Sequence, residues 1–366
     1  MKINAAILWE QGKPLIIEEA ELDAPLTGEV LVEVKSAGVC HSDLHPALGD
    51  WPAKLPMVLG HEGAGIVREI GEGVSRLKKG DHVVFCWQPA CGKCPPCLDG
   101  RPVLCDRLDK TTYRGRLPGG GMRLHARGQD VGHFNGTACF ADFATIAEEG
   151  AVAVSKGLPF DVLATLGCAV VTGVGAVLNS AAVKPGSKVV VIGAGGVGLN
   201  VIQAAAIAGC EKIITIDTRP EPLKFASEFG ATHSVISDDQ TAAAIREFTD
   251  GRGADYVFDT VANPATVSQA VAFAGKGGTI VLTGLAKLDS RASLPIFPFV
   301  MQEKRLIGSV YGSGQPLSDI VRLADLYESG KLKLRELVAA RYKLDQVNEG
   351  LSALSGGTVA RGIIEW

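Results

Sequence analysis

The segment VVVIGAGGVG, at 189–198, constrains this chain more than any other ten residues in it. A β-branched run ending in glycine and passing into GLNVIQAAAIAG reads as strand, tight turn and helix. Gly193, Gly195 and Gly198 stand in G-x-G-x-x-G spacing, with Gly196 and Val197 inside the turn. Glycine there permits the sharp turn, lets backbone approach an anion, and brings helix and strand close, while the first N–H groups of the helix face that anion. Asp217 ends the next strand-like run, KIITID, 24 residues beyond Gly193. A carboxylate in that place holds both hydroxyls of an adenosine ribose and repels a 2′-phosphate, so the pattern predicts a dinucleotide site that favours NAD over NADP. Arg219 would favour NADP if it swung to a phosphate; a solvated or adenine-stacking role is expected instead.

The texture around this motif extends from 170 to 311. The runs KVVVIG, KIITID, YVFDTV and TIVLTG alternate with helical stretches, the pattern of buried parallel strands in a doubly wound sheet. Before about 153 the chain is strand-like and turn-rich, as in VLVEVKSAG and DHVVFC, which describes a mostly β domain. The end of the chain opens on an amphipathic helix, LSDIVRLADLYESGKL, with Ser318 as the expected N-cap, and closes in the strand-like RGIIEW. The length of 366 residues accommodates about two domains. The expected fold class is α/β plus β.

Composition narrows the function. Hydrophobic residues at 46% and charged residues at 21% exclude a disordered chain, and 36 basic against 40 acidic side chains exclude a mainly electrostatic nucleic-acid binder. The amino terminus lacks a signal-peptide cleavage pattern, which points to the cytoplasm. Residues 162–183 carry no charge over a length that could span a bilayer, but Gly167, Gly173, Gly175, Thr172, Asn179 and Ser180 interrupt them. That stretch reads as a buried, glycine-broken helix, and no membrane partner is expected. Nine cysteines, an odd number with a tight cluster, favour metal binding over a disulfide framework.

In CGKCPPCLDGRPVLC the spacing C-x2-C-x2-C-x7-C makes Cys91, Cys94, Cys97 and Cys105 a compact set of four soft ligands. Four thiolates close a tetrahedron around zinc and leave no room for substrate, so this site is structural. An iron–sulfur run of the bacterial type would place its fourth cysteine after three residues. The other candidates are CHSD at 40–43, GHE at 60–62 and LGC at 166–168, which only a fold could assemble. Cys40, His61 and Cys168 would make a Cys2His set with one open position, with Asp43 behind the His61 ring. Spacing alone does not select this triad, since Cys168 in an apolar run is equally an ordinary buried thiol. Cys86, Cys139 and Cys210 read as core thiols.

The signature GHEGAGIVREIGEGV, with CHSD, the four-cysteine lobe and GAGGVG, resembles the zinc-containing medium-chain alcohol dehydrogenases over essentially the whole chain. The lobe cysteines set it apart from the zinc-free quinone reductases of the same superfamily. The resemblance implies a GroES-like catalytic domain, 1–169 with 312–366, and a Rossmann NAD-binding domain, 170–311, with the active site in the cleft between them. It implies two zinc ions per chain, the catalytic one on Cys40, His61 and Cys168, with Glu62 as an acid that can approach the metal. Ser42 would bridge the alcohol to the nicotinamide ribose and His45 would pass its proton to solvent. His41, Val197 and Arg361 match cofactor-contacting positions, His41 and Arg361 near the pyrophosphate, and Thr172 packs against the nicotinamide. The family forms dimers or tetramers, and IGSVYG near Ile307 is the expected edge.

By the same matching, Trp51, Trp87 and Phe134 line the substrate pocket, which suits aromatic or medium-chain primary alcohols and their aldehydes. HFNGTACF resembles a stretch of the glutathione-dependent formaldehyde branch, but that branch carries an arginine four residues after the fourth lobe cysteine, where this chain has Asp109. This departure counts against a thiol-adduct substrate. Residues 101–127 hold seven basic and two acidic side chains, read either as a solvated loop or as a surface for an anionic substrate group or partner. A sensor that kept the nucleotide site without turnover is the non-catalytic alternative.

Overall fold

The computed structural model describes residues 1–357 and 361–366. The chain divides into two compact units, Met1–Cys168 with Gln315–Trp366, and Ala169–Gly314.

The first unit is built on the long strand Glu29–Val39, buried along nearly its whole length. It pairs antiparallel with Glu62–Ile70, Phe143–Ala147 and Gly362–Glu365. His82–Phe85, Ala151–Val154 and Ala340–Tyr342 extend this sheet. A closed barrel of five short strands, Lys2–Leu8, Ile16–Leu22, Leu124–Ala126, Gln129–His133 and Met57–Val58, completes the β layer, and closure leaves these strands no free edge. Apolar residues of both sets merge into one core that includes Ile7, Leu8, Val32, Phe85, Phe140 and Ile146.

The second unit is a six-stranded parallel sheet. Its order is His233–Ile236, Lys212–Asp217, Lys188–Ile192, Ala254–Asp259, Ala274–Leu282 and Arg305–Gly308. In chain order this is 3-2-1-4-5-6, the Rossmann arrangement, with its switch point between Lys188–Ile192 and Ala254–Asp259. β-branched runs such as KVVVI form these strands because a parallel sheet is covered on both faces.

The apolar stretch is helical from Phe160 to Ser180, with π-helical turns at Leu166–Val170 and Ala176–Ser180. It is long and apolar enough to cross a bilayer, yet 89% of its most apolar window is buried inside the protein, so its hydrophobicity is spent on the core.

One expectation needs correction. The carboxy-terminal helix begins earlier than Ser318, at Pro316, with Gln315 as N-cap; Ser318 Oγ donates to the Gln315 carbonyl from within the first turn. Proline at the first helical position needs no N–H partner, which is why it displaces serine as the start. The basic run 101–127 is largely exposed, with Arg101, Lys110, Arg114, Arg116 and Arg127 at the surface, and several of its arginines have partners within the unit. Arg107 donates to the Pro89 carbonyl and Glu149, Arg114 to the Asp109 carbonyl, and Arg127 to Glu18 while lying over the Trp9 ring.

Arg123 goes furthest, forming a bidentate pair with buried Glu29 at 2.9 and 2.8 Å. Removing one partner of a buried pair strands the other charge without solvent. Arg123→Ala is therefore expected to cost about 3–5 kcal/mol in thermal or urea unfolding. Arg114→Ala, on an exposed side chain, should stay within about 0.5 kcal/mol.

Candidate metal and dinucleotide sites

The sheet register explains how distant residues meet. Gly38 lies opposite Glu62 and Val39 opposite Gly362, so the end of Glu29–Val39 meets the starts of two antiparallel neighbours. Cys40 follows the first strand, His61 precedes the second and Arg361 precedes the third. Cys168 arrives from the π-helical turn, whose wider winding redirects its side chain relative to a regular helix. The ligand atoms of Cys40, His61, Glu62 and Cys168 all lie within 4.8 Å of one another, and all four residues are buried.

Asp43 organises this cluster. It sits in the first turn of the helix His41–Leu48, fully buried. Its Oδ2 accepts from the Cys40 N–H at 3.0 Å, and its Oδ1 from the Gly60 N–H at 3.1 Å, with His61 Nδ1 at 2.9 Å. An Nδ1–H donated to Asp43 directs the Nε2 lone pair toward the two thiols. Nε2 has no hydrogen-bond partner although it is buried. An orphaned imidazole nitrogen beside two sulfurs is a donor set that fits zinc.

The electrostatics agree with such a set. Cys40 is held well below the ordinary thiol range by its contact with Cys168, against burial and with help from Arg361, while the contact with Cys40 and burial push Cys168 up. Burial pulls His61 down, but the Asp43 carboxylate outweighs it and raises the imidazole. Glu62 is pushed up to about 8 by burial, partly offset by Arg361, whose Nη1 lies 3.0 Å from Glu62 Oε1 and donates to the Val39 carbonyl. Arg361, expected near a pyrophosphate, is thus turned onto Glu62 in this structure. Gly38 makes room for Glu62: a Cβ at 38 would lie 2.1 Å from Glu62 Oε2.

Aromatic rings surround the histidines. Trp87 and Phe134 stand edge-on to His61, at 6.3 and 5.6 Å between centroids. Thr137 Oγ1 donates toward the carbonyls of both Gly60 and Phe134, tying the Phe134 turn to the segment that carries His61. Trp51 stacks on His45 instead. Ser42 and His41 occupy the first turn of His41–Leu48 beside Cys40.

The four lobe cysteines also gather, with ligand atoms within 4.8 Å of one another. The Cys91 N–H points at Cys105 Sγ at 3.3 Å, and Cys94 Sγ lies 3.7 Å from the same sulfur. The Lys93 N–H holds Cys91 down to about 6, while burial pushes Cys97 up to about 12. Four sulfurs in this closed arrangement suit a structural metal. Cys86 and Cys139 are buried as expected, whereas Cys210 is only half-buried at the end of its helix.

In the second unit Gly195 is the N-cap of Gly196–Ile207, and no side chain caps it. A Cβ on Gly195 would meet open space, whereas one on Gly198 would lie 1.9 Å from the Gly193 carbonyl, and one on Gly193, at φ +93°, would strike Thr260. Packing thus requires Gly193 and Gly198, and the opening above Gly195 leaves the helix terminus accessible to an anion. Asp217 Oδ2 accepts from the Ala194 N–H at 2.9 Å, which holds the carboxylate beside the glycine turn; its Oδ1 accepts the Arg219 N–H. Val197 is half-buried in the first helical turn and Thr172 is buried in the same unit.

The sequence matches the family model described as alcohol dehydrogenase GroES-like domain over residues 27–156, and that described as zinc-binding dehydrogenase over 196–328. The chain belongs to the zinc-containing medium-chain alcohol dehydrogenases. It is 42% identical to the NDMA-dependent alcohol dehydrogenase of Amycolatopsis methanolica, covering 100% of this chain and 99% of the relative. It is 35% identical to the alcohol dehydrogenase class-3 of Cereibacter sphaeroides over the full length of both. Among solved structures it resembles benzyl alcohol dehydrogenase from Acinetobacter calcoaceticus, with a TM-score of 0.94, 34% identity, and 100% and 99% of the two chains covered. The protein is accordingly a zinc-binding oxidoreductase with a GroES-like domain and a Rossmann cofactor domain for a nicotinamide-type cofactor.

Sequence reasoning anticipated Asp43 behind His61, but not that one carboxylate also holds the Cys40 and Gly60 amides, nor that Gly38 is needed to seat Glu62. In Asp43→Asn the new NH2 group must face at least one of three N–H donors. Zinc affinity of the Cys40 cluster is expected to fall about 10–100-fold, measured by competition with a chromogenic chelator, with metal in the cysteine lobe retained.

Proposed function

We propose that the protein is an NAD-dependent alcohol dehydrogenase that interconverts aromatic or medium-chain primary alcohols and their aldehydes, with two zinc ions per chain. The observation that carries this reading is the buried Cys40–His61–Cys168 cluster with a bare Nε2 whose opposite nitrogen is clamped by Asp43. When bound, zinc would supply Lewis acidity toward the alcohol oxygen, and the nicotinamide would accept the hydride. The reaction balances as alcohol plus NAD⁺ to aldehyde, NADH and one proton.

Cys40, His61 and Cys168 would hold the catalytic ion and Cys91, Cys94, Cys97 and Cys105 the structural one. Glu62, balanced by Arg361, supplies a nearby carboxylate whose charge is partly neutralised in the dry cluster. Ser42 and His45 carry the released proton outward, because a proton left in an apolar site would oppose the forward reaction. His41 and Arg361 would act near the pyrophosphate, Thr172 and Val197 at the cofactor, and Asp217 at the ribose hydroxyls, with Arg219 beside the adenine. Trp87 and Phe134 around His61, with Trp51, exclude water and offer flat apolar surface to an aromatic substrate. The similarity to a benzyl alcohol dehydrogenase supports that preference. Thiol-based ligand sets call for a reducing compartment, and we place the enzyme in the cytoplasm.

Benzyl alcohol is expected to give NAD-dependent absorbance at the NADH band, faster than with NADP or with secondary or acid-bearing alcohols, and Cys40→Ala should abolish it. Because one relative is named for NDMA dependence, the same screen includes NDMA as acceptor. Turnover surviving Cys40→Ala and zinc removal would refute the reading.

The second unit also supports self-association. Ile296, Phe297, Val300 and Met301 are 65–78% exposed on one short helix, directly before the sheet-edge strand Arg305–Gly308. We propose that two copies pair along this edge, as a dimer or within a tetramer. Phe297→Asp should lower the mass measured by light scattering; an unchanged mass would place the interface elsewhere.

A further inference from the structure

The turn after the helix His41–Leu48 carries a second carboxylate–imidazole pair. Gly49 adopts the left-handed conformation, φ 85°, that ends the helix. The chain then folds back, so that the N–H groups of Asp50 and Trp51 both donate to the His45 carbonyl, at 2.9 and 3.3 Å. This reversal puts Asp50 Oδ2 3.2 Å from His45 Nδ1 and lays the Trp51 ring on the imidazole, with centroids 4.2 Å and planes 21° apart. Gln11 Nε2 donates to the carbonyls of Pro46 and Trp51, at 2.9 and 2.8 Å, and pins the turn from outside. The His45 and Asp50 side chains are each 16% exposed, shielded but within reach of water.

The neighbouring segments carry other charged and titratable groups. His41 and Asp43 share its helix, Glu10 and Lys13 belong to the turn whose Gly12 N–H donates to the Ala47 carbonyl, and Glu349 lies on the adjacent helix Val347–Ser355. Asp43 is committed to Cys40, Gly60 and His61, and Glu349 accepts from Gln346. Asp50 is the carboxylate that meets the His45 ring.

We propose that Asp50 is a positioning residue of the proton path. It holds His45 in the Nδ1–H tautomer and stabilises the imidazolium formed when Nε2 takes the proton. This rests on the reading of His45 as the group that passes the alcohol's proton to solvent. The alcohol proton would reach Nε2 from Ser42 through the ribose hydroxyl that Ser42 bridges to; the ring then carries N–H on both nitrogens, with Nδ1–H still donated to Asp50. Loss of the Nε2 proton to water restores the starting tautomer, so the ring need not rotate between turnovers. Trp51, stacked on one face, opposes such rotation. The arrangement follows the general rule that a carboxylate on one imidazole nitrogen fixes the tautomer and favours the protonated ring.

The test is the pH dependence of kcat/KM for alcohol oxidation by the zinc-loaded enzyme. Oxidation needs an imidazole free to take the proton, so kcat/KM falls on the acid side of the profile. In Asp50→Asn, which removes the carboxylate that meets Nδ1, this acid limb is expected to move to lower pH. Zinc content and KM for NAD should hold, Asp50→Glu should move the limb back toward wild type, and Asp50→Asn should have no further effect in a His45→Gln background. A superimposable Asp50→Asn profile, or a shift that persists without His45, overturns the proposal. A wild-type limb in His45→Gln overturns the reading of His45 and the role of Asp50 with it.

A second measurement needs no turnover and no Asp50 variant. The imidazole ¹⁵N NMR spectrum of the wild-type protein, with His45 identified by its loss in His45→Gln, should show Nδ1–H in the neutral ring. An Nε2–H tautomer overturns the proposal even if the dehydrogenase reading stands, so the two failures are distinguishable.

Discussion

One buried carboxylate holds the candidate metal centre in shape. Asp43 is removed from water and still serves as acceptor for two backbone amides and an imidazole. Hydrogen bonds to an ionised group are the strong ones, and three of them replace the hydration that the carboxylate lost on folding. The donors come from two pieces of the cluster: the start of the helix His41–Leu48, and the chain ahead of Glu62–Ile70, which supplies both the Gly60 amide and the His61 ring. The same contact that satisfies a charge therefore sets the distance between two ligand-bearing segments and the direction of Nε2. Glu62 and Arg361 form a second, adjoining balance of charge, and their opposite signs let both enter the core.

The sheet supplies the other half of this construction. Three strands that end or begin at one edge bring Cys40, His61 with Glu62, and Arg361 together from positions more than three hundred residues apart. Register is unforgiving here, because a slip of one residue would turn every side chain to the opposite face. Gly38 shows how tightly the arrangement is specified, since its missing side chain is the space into which Glu62 fits. Cys168 comes by another route, on a π-helical turn within an otherwise regular apolar helix, and such local widening recurs where a helix must aim a functional side chain.

The dinucleotide motif was legible because its physics is local. Strand, turn and helix are contiguous in VVVIGAGGVG, and the close approaches of Gly193 and Gly198 involve neighbours in the same unit. The cysteine lobe was legible for the same reason: its ligands lie within fifteen residues, and their spacing is itself the geometry. The Cys2His set could be suggested only by resemblance, since nothing in the spacing of 40, 61 and 168 distinguishes a ligand from a core thiol. Most of the basic segment is exposed, as its solvated reading expected, but charge along a sequence says nothing about long-range partners; Glu29, 94 residues from Arg123, makes that one arginine half of a buried pair. The helix start at Pro316 was missed because serine preference at an N-cap yields to proline, which already has the right φ and lacks the N–H that would need a cap.

By itself the amino-acid sequence determined the two-part architecture, the nucleotide-binding turn and the four-sulfur lobe, because short-range spacing and hydrophobic periodicity encode them directly. Only the tertiary structure decided which cysteines join His61, that the Asp43 carboxylate also holds the Cys40 and Gly60 amides, and that Arg361 faces Glu62. Those contacts depend on strand register and chain reversal, which arise from the packing of the whole core rather than from any local run of residues.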